Sequence, residues 1–148
     1  MAMGDAPFYR WLDEGDRVDF RPIMHTHARQ TIADKPGFFA INGALQVDQL
    51  GNVNVETIAG RPISCPGGLP DFATAAQQSM GGASLIVLRS TAGRHQVSTI
   101  VSQLDQKTLD GSHVDYVVTE HGIAHLKNNS ADGRRQAMES VMHPDHRN

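Results

Sequence analysis

The chain has a single cysteine, Cys65, in 148 residues. One cysteine excludes an internal disulfide framework and suits a reducing compartment. No apolar run approaches the length needed to cross a bilayer. The opening Met-Ala-Met-Gly-Asp lacks the charged-then-apolar pattern of a signal peptide and reads as an abrupt truncation. A cytoplasmic location without membrane partners is expected. Basic residues never gather beyond Arg134-Arg135 and the formal net charge is −3, so the footprint of a nucleic-acid binder is missing. The Gly-x-Ser-x-Gly elbow of the α/β-hydrolases, the Walker sequence and the dinucleotide fingerprint are absent too. What remains is 39% hydrophobic and 20% charged, ordinary for a globular protein. The length suits one domain, residues 1–148, burying roughly 70% of its unfolded surface.

The most informative stretch is Ser64-Cys65-Pro66-Gly67-Gly68-Leu69-Pro70-Asp71-Phe72, which runs into an alanine-rich segment ending at Met80. Glycines at 67 and 68 let backbone amides approach a ligand closely. Pro70 and Asp71 suit the first turn of a helix, and amides at a helix N-terminus attract anions and oxyanions. The loop is thus a candidate for a phosphate or a carbonyl oxygen, although plain turn chemistry is the commoner use of such a pair.

Residues 7–13 place Phe8, Trp11 and Leu12 on one helical face, stopped by Gly15, and are predicted to dock on the core. Thr26 is predicted to cap a helix through about Ala33. Phe38–Asn42 reads as a short buried strand. Residues 45–48 and 53–57 alternate around Gly51-Asn52 as a hairpin. A helix over about 70–80 leads to a buried strand at 84–89, then a polar loop, Ser90 to His95, at its C-terminal end. In open α/β sheets ligands bind at that edge. Strands follow at 97–101 and 114–119, the second rich in β-branched residues. His121–Leu126 is predicted as a helical turn. Ser130 caps a last helix whose apolar stripe is Ala137, Met138, Val141 and Met142. The pattern predicts an α/β fold, a single open mixed β-sheet domain with flanking helices.

Eight histidines invite a metal reading. His121 and His125 would share one helical face, with Glu120 adjacent, yet Glu-His-x-x-x-His is not the zincin spacing. His25 and His27 would share one face of a strand, and His143 and His146 flank Asp145. Solvated or hydrogen-bonded histidines are the default, and no metal site is assigned. Cys65 beside the glycine pair lacks an identifiable activating base, so a small buried residue is expected there.

In order, AINGALQVDQLGNVN, GGLPDFATAAQQSMGGASLIVLRSTA, VSTIV, VDYVVTEHGIAHL and MHPDHR resemble the C-terminal domain of the acetyl-CoA hydrolase/CoA-transferase family. The family includes succinyl-CoA:acetate and 4-hydroxybutyrate CoA-transferases. The resemblance runs from about residue 7 to 147. It implies two similar α/β domains in a longer protein and a glutamate nucleophile that passes through a glutamyl-CoA thioester. That glutamate belongs upstream of the matched region. The chain is therefore expected to be a fragment lacking the N-terminal domain and the nucleophile, and inactive alone.

What the resemblance assigns to this chain is part of the coenzyme A site and of the oxyanion hole. The Gly68 amide would face the thioester oxygen. Asn42, Leu45, Ser64, Gly67, Gly68 and Arg94 would contact coenzyme A, a substrate here, with no covalently bound cofactor. Expected partners are an acyl-CoA, a small carboxylate and the missing N-terminal domain or a partner chain, with a homodimer also compatible. Leu69 and Ala75 depart from the family's usual Gln and Gly. Gly93-Arg94-His95 replaces a loop that commonly carries Lys, and His121 and His125 stand where Tyr and Asp are usual. The alternative is a non-catalytic domain that binds coenzyme A or pairs with another chain.

Overall fold

The computed structural model describes residues 3–147. Helix α1 (Ala6–Glu14) is followed by two short helical turns, α2 (Ile23–Thr26) and α3 (Arg29–Ala33), and by strand β1 (Phe39–Gly43). Strands β2 (Gln46–Asp48) and β3 (Val53–Asn54) form the expected hairpin, and β4 (Thr57–Ile58) with β5 (Arg61–Pro62) a smaller one. Helix α4 (Leu69–Gln78) leads into β6 (Ala83–Val87). A ribbon of β7 (Thr91–Ala92) and β8 (Val97–Ser98) precedes β9 (Ile100–Val101). The chain ends with β10 (Tyr116–Thr119), β11 (Gly122–His125), helix α5 (Ala131–Ser140) and a 3-10 turn at Pro144–His146.

The fold is mixed α/β around an open mixed sheet of order β1-β6-β10-β11. β1, β6 and β10 run parallel, and β11 returns antiparallel beside β10. A smaller sheet, β3-β2-β9, extends the core through Val47, Val53 and Ile100. Parallel neighbours need a crossover, and between β1 and β6 that crossover ends in α4. Its Ala73, Ala75 and Ala76 are fully buried, and side chains this small let the helix lie close to the strands. Ser79 locks the far end. Its hydroxyl accepts from the Phe38 amide at 3.1 Å and donates to the Lys35 carbonyl at 2.6 Å.

Asp115 ties three elements together. It is fully buried. One carboxylate oxygen accepts from the Ser84 amide of β6 at 2.9 Å, and the other from Gln77 Nε2 of α4 at 2.9 Å. Its carbonyl accepts from the Leu126 amide just beyond β11 at 2.8 Å. Lys127 Nζ stands 3.7 Å away.

Several sequence expectations are corrected. α1 forms, with the Asp5 side chain capping the Phe8 amide and Gly15 at its end, but none of its residues is buried. Phe8 and Trp11 stack on each other at 5.9 Å instead of on the core. Thr26 lies inside α2, and Ala28 precedes α3 without a side-chain cap. β1 is buried on one face only. The 97–101 strand breaks at Thr99, whose amide donates to the Ser90 carbonyl at 3.0 Å, so its halves join different sheets. His121–Leu126 is not helical. Thr119 pairs with Gly122, and the segment folds back as β11.

Asp115→Ala should lower stability by about 3 kcal/mol, because it strands the buried Ser84 and Gln77 donors. Urea denaturation of the two proteins measures this. A loss below about 1 kcal/mol, the worth of a single ordinary hydrogen bond, would contradict the role given to Asp115.

Candidate active site

The crossover places the N-terminus of α4 at the edge where β1 and β6 end, the usual ligand edge of an α/β sheet. Gly67 there has φ +57°, a left-handed conformation that a side chain would strain. Gly68 is the N-cap residue of α4, at φ −86° and ψ −1°, and no side chain caps the helix. Among the described residues, the amides of Gly68 and Asp71 have no hydrogen-bond partner. Both donors therefore remain available at the positive end of the helix dipole. A Cβ on Gly68 would sit 2.8 Å from His27 Nε2 and 2.9 Å from Phe72 Cδ2, so the position accepts only glycine without displacement.

A cavity of about 770 Å³ lies in front of the loop, walled by Arg21, Ile23, Met24, Thr26, His27 and Asp71 as well as the two glycines. The His27 ring stands edge-on to Phe72 at 5.0 Å, and its Nδ1 shares a 3.0 Å hydrogen bond with Thr26 Oγ1. Arg29 pairs with Asp71 at 3.5 Å. A second cavity, of about 620 Å³, lies where β1 and β6 run out into their loops. Leu45, Leu88, Arg89, Thr91, Gly93 and Gln96 line it.

Glu120, in the turn after β10, fastens the loop after β6. Its two carboxylate oxygens accept from the Ser90 amide at 2.9 Å and the Ser90 hydroxyl at 2.7 Å. These bonds hold its carboxyl down from the ordinary 4.5 to about 2. The loop that carries Thr91 and Gly93 is thereby anchored at its root.

The residues singled out in the sequence divide between these features. Gly67 and Gly68 face the first cavity. Leu45 lines the second, as does Gly93 beside Arg94. Asn42 is half-buried on β1, opposite Ile86. Ser64 is exposed, its hydroxyl donating to the Cys65 carbonyl at 3.4 Å. Arg94 is exposed and lines neither cavity. Cys65 is exposed rather than packed, because its loop stands off the core. His25 and His27 do not share a strand, since His25 lies in α2 and His27 ends it; the place of His27 against Gly68, Arg89 and Gln96 in the second lining, and the Glu120–Ser90 bonds emerge only from the structure.

The metal reading loses its geometry. Four residues along an extended chain span about 13 Å, whereas one helical turn would bring two histidines to within about 6 Å. His125 instead stacks on Tyr116 at 4.9 Å, and His121 meets His143 edge-on at 5.3 Å. Among the described residues, no three His, Cys, Asp or Glu side chains stand together as a metal site. Nor, among those residues, is any helix long and apolar enough to cross a membrane.

Residues 4–148 match the model of the acetyl-CoA hydrolase/transferase C-terminal domain. The chain belongs to this family. It is 35% identical over 145 residues to the 4-hydroxybutyrate coenzyme A transferase of Clostridium kluyveri, a match covering 96% of this chain and 34% of that protein. RipA from Yersinia pestis superposes with a TM-score of 0.90 at 33% identity, over 97% of this chain and 33% of that one. The 4-hydroxybutyrate CoA-transferase of Porphyromonas gingivalis superposes with a TM-score of 0.80 at 27% identity, over 96% of this chain and 32% of that one. The chain thus spans about a third of the length of the family members it matches.

The Glu120 carboxyl is more acidic in the folded family domain than in an unfolded chain, so protons favour unfolding. Its stabilising contribution should be complete above pH 4.5 and fade as pH falls toward about 2. Glu120→Gln should flatten the stability profile across that window, read by urea denaturation at stepped pH. An unchanged slope would mean that the Ser90 bonds carry no net stabilisation.

Proposed function

We propose that this chain is the C-terminal domain of a CoA-transferase or acyl-CoA hydrolase, supplying an oxyanion amide and part of the coenzyme A site. The observation that carries this reading is the unpartnered Gly68 amide at the N-terminus of α4, facing a cavity at the ligand edge. In the proposed reaction a glutamate outside this chain attacks the acyl thioester. The carbonyl oxygen takes up negative charge and the Gly68 N–H donates to it. The C–S bond breaks, coenzyme A leaves as the thiolate, and a mixed anhydride remains. Attack of the thiolate on the glutamyl carbonyl releases the first carboxylate and leaves glutamyl-CoA. An acceptor carboxylate, or water in a hydrolase, then resolves it. One such donor is worth about 3 kcal/mol in the transition state.

The second cavity suits the coenzyme. Leu45 and Leu88 offer apolar surface to a pantetheine arm, and Arg89 in the same lining would meet a phosphate, with exposed Arg94 beside Gly93 a second candidate. None of the chain's four glutamates, Glu14, Glu56, Glu120 and Glu139, lines either cavity. Glu120 is engaged by Ser90, and Glu56 Oε2 accepts from the Thr108 hydroxyl at 2.8 Å. We therefore infer that the domain is inactive alone and works with an N-terminal domain or partner chain in the cytoplasm. A purely binding or pairing domain is the second reading, favoured by the third-length span of the family members.

The test is calorimetry with coenzyme A together with acyl exchange between acetyl-CoA and a labelled carboxylate. Binding without exchange is expected. Leu45→Arg should weaken coenzyme A binding at least about tenfold, the effect of some 1.4 kcal/mol. Robust exchange by this chain alone would overturn the missing-nucleophile reading, and an affinity indifferent to Leu45→Arg would overturn the assignment of the second cavity.

A further inference from the structure

The loop that frames the second cavity contains a residue in an unfavourable conformation. Gln96, part of the cavity lining, has φ +48°. A residue with a side chain enters that left-handed region only when its surroundings hold it there. Bonds within the loop supply part of the hold. The Gln96 amide and its Nε2 both donate to the Gly93 carbonyl, at 3.3 and 3.0 Å, and its Oε1 accepts from the Thr91 hydroxyl at 2.8 Å. A further bond comes from 50 residues along the chain, where His146 Nε2 donates to the Gln96 carbonyl at 2.9 Å. A carbonyl only accepts, so His146 carries its proton on Nε2.

The 3-10 turn after α5 presents His146, and that turn is itself built on a histidine. His143 is its N-cap. The ring Nδ1 accepts from the Asp145 amide at 3.2 Å, and the His143 carbonyl accepts from the His146 amide at 2.9 Å. Arg147 closes the other side by donating to the Met142 carbonyl at 3.1 and 2.9 Å. An accepting Nδ1 has no proton, so the capped turn requires a neutral His143. The His143 ring also stands 5.3 Å from that of His121 and 5.9 Å from that of His146. Charging His143 therefore removes the cap and gathers cations in one row. The acids beside the row are Asp145, 3.7 Å from His143 Nδ1, and Glu120, 3.8 Å from His121 Nε2, while the last turn of α5 carries Glu139. Glu120 already gives both oxygens to Ser90, and the Asp145 side chain is 84% exposed, so water screens its attraction. Arg147 on the turn, and Arg94 and His95 on the loop, add only positive charge.

We propose that His146 is a positioning residue for the second cavity, an assignment that rests on the coenzyme reading of that cavity. It holds Gln96, and with it the β7–β8 loop, in the shape that lines the pocket, and a proton on His143 releases the hold. Histidines change charge between about pH 5 and 8. The clasp is closed on the alkaline side of that window and open on the acid side. The Glu120 anchor at the root of the same loop, held down to about 2, does not change there.

The test follows amide exchange at Gln96 and coenzyme A affinity in the same chain. At about pH 8, His146→Phe keeps a ring but has no donor. It should speed exchange at Gln96 and weaken coenzyme A binding, each about fivefold, the worth of one ordinary hydrogen bond. His146→Gln, which retains an Nε2 donor, should restore most of both. From about pH 8 to about pH 5.5, wild-type exchange, corrected for the intrinsic effect of pH, should accelerate and affinity should fall. His143→Asn caps the turn without titrating, so its exchange should stay level and its affinity should fall less, the remainder being titration of the coenzyme's own phosphates. Exchange unmoved by His146→Phe overturns the clasp. So does a failure of His146→Gln to rescue, which would assign His146 to packing. A pH profile shared by wild type and His143→Asn overturns the role of the proton. Faster exchange with unchanged affinity overturns the positioning of the coenzyme. Exchange is read without coenzyme A, so a chain that binds none would overturn the reading of the cavity while the exchange data still decide the clasp.

Discussion

Parallel pairing of β1, β6 and β10 is the constraint from which the rest of the architecture follows. Parallel neighbours cannot be joined by a hairpin, so the chain must return across the sheet before each new strand. That return gives α4 the opposite direction to β1 and β6 and brings its N-terminus to the edge where they end. Gly68, Leu45 and the loop after β6 meet at one edge for this reason, although the sequence scatters them. The two cavities are consequences of the crossover, and either would lose a wall if the strand order changed.

Two carboxylates hold this geometry in different ways. Asp115 is buried and engages β6, α4 and the segment after β11, so it fixes how helix and sheet sit together. Glu120 stands at the edge and fastens one loop to the next turn through Ser90. An interior carboxylate left without donors would be costly, so Asp115 and its donors must be kept as a set. Glu120 is half open to water, and the Ser90 amide and hydroxyl matter more to it than Coulombic attraction from His121, 3.8 Å away. The first carboxylate belongs to the fold, and the second to the loop that frames the candidate coenzyme pocket.

Much of this was legible in the sequence where local rules suffice. Pro70 and Asp71 after a glycine pair announced α4, and the β-branched run at 114–119 announced β10, which forms over Tyr116–Thr119. Ser130 announced α5 through a capping bond made within its own first turn. Legibility failed where distant partners decide. His121 to Leu126 fits a helical spacing as well as a strand, and only the antiparallel edge of β10 selects the strand. Cys65 was expected to be buried because no activating base could be identified for it, but its exposure depends on where the 63–67 loop lies. His27 was read only with His25, as one face of a strand, whereas α2 is a helical turn that His27 ends. Its place against Gly68 exists because α2 and α3 bring the N-terminal segment over the loop.

The same logic separates hydrophobicity from burial in β1. Phe-Phe-Ala-Ile reads as a buried strand because its residues are apolar, yet only the face of Ala40 is covered here. An apolar sequence states a demand for cover, and the structure shows whether this chain meets it. On the α4 side it does, with three fully buried alanines. On the opposite side Ile41 and Ile123 stay in water, at a hydrophobic cost of about 25 cal/mol for each Å² exposed. A chain with a well-packed core and a satisfied interior carboxylate has little reason to tolerate that cost for its own stability. The exposed rows are a demand for cover that the described residues leave unmet.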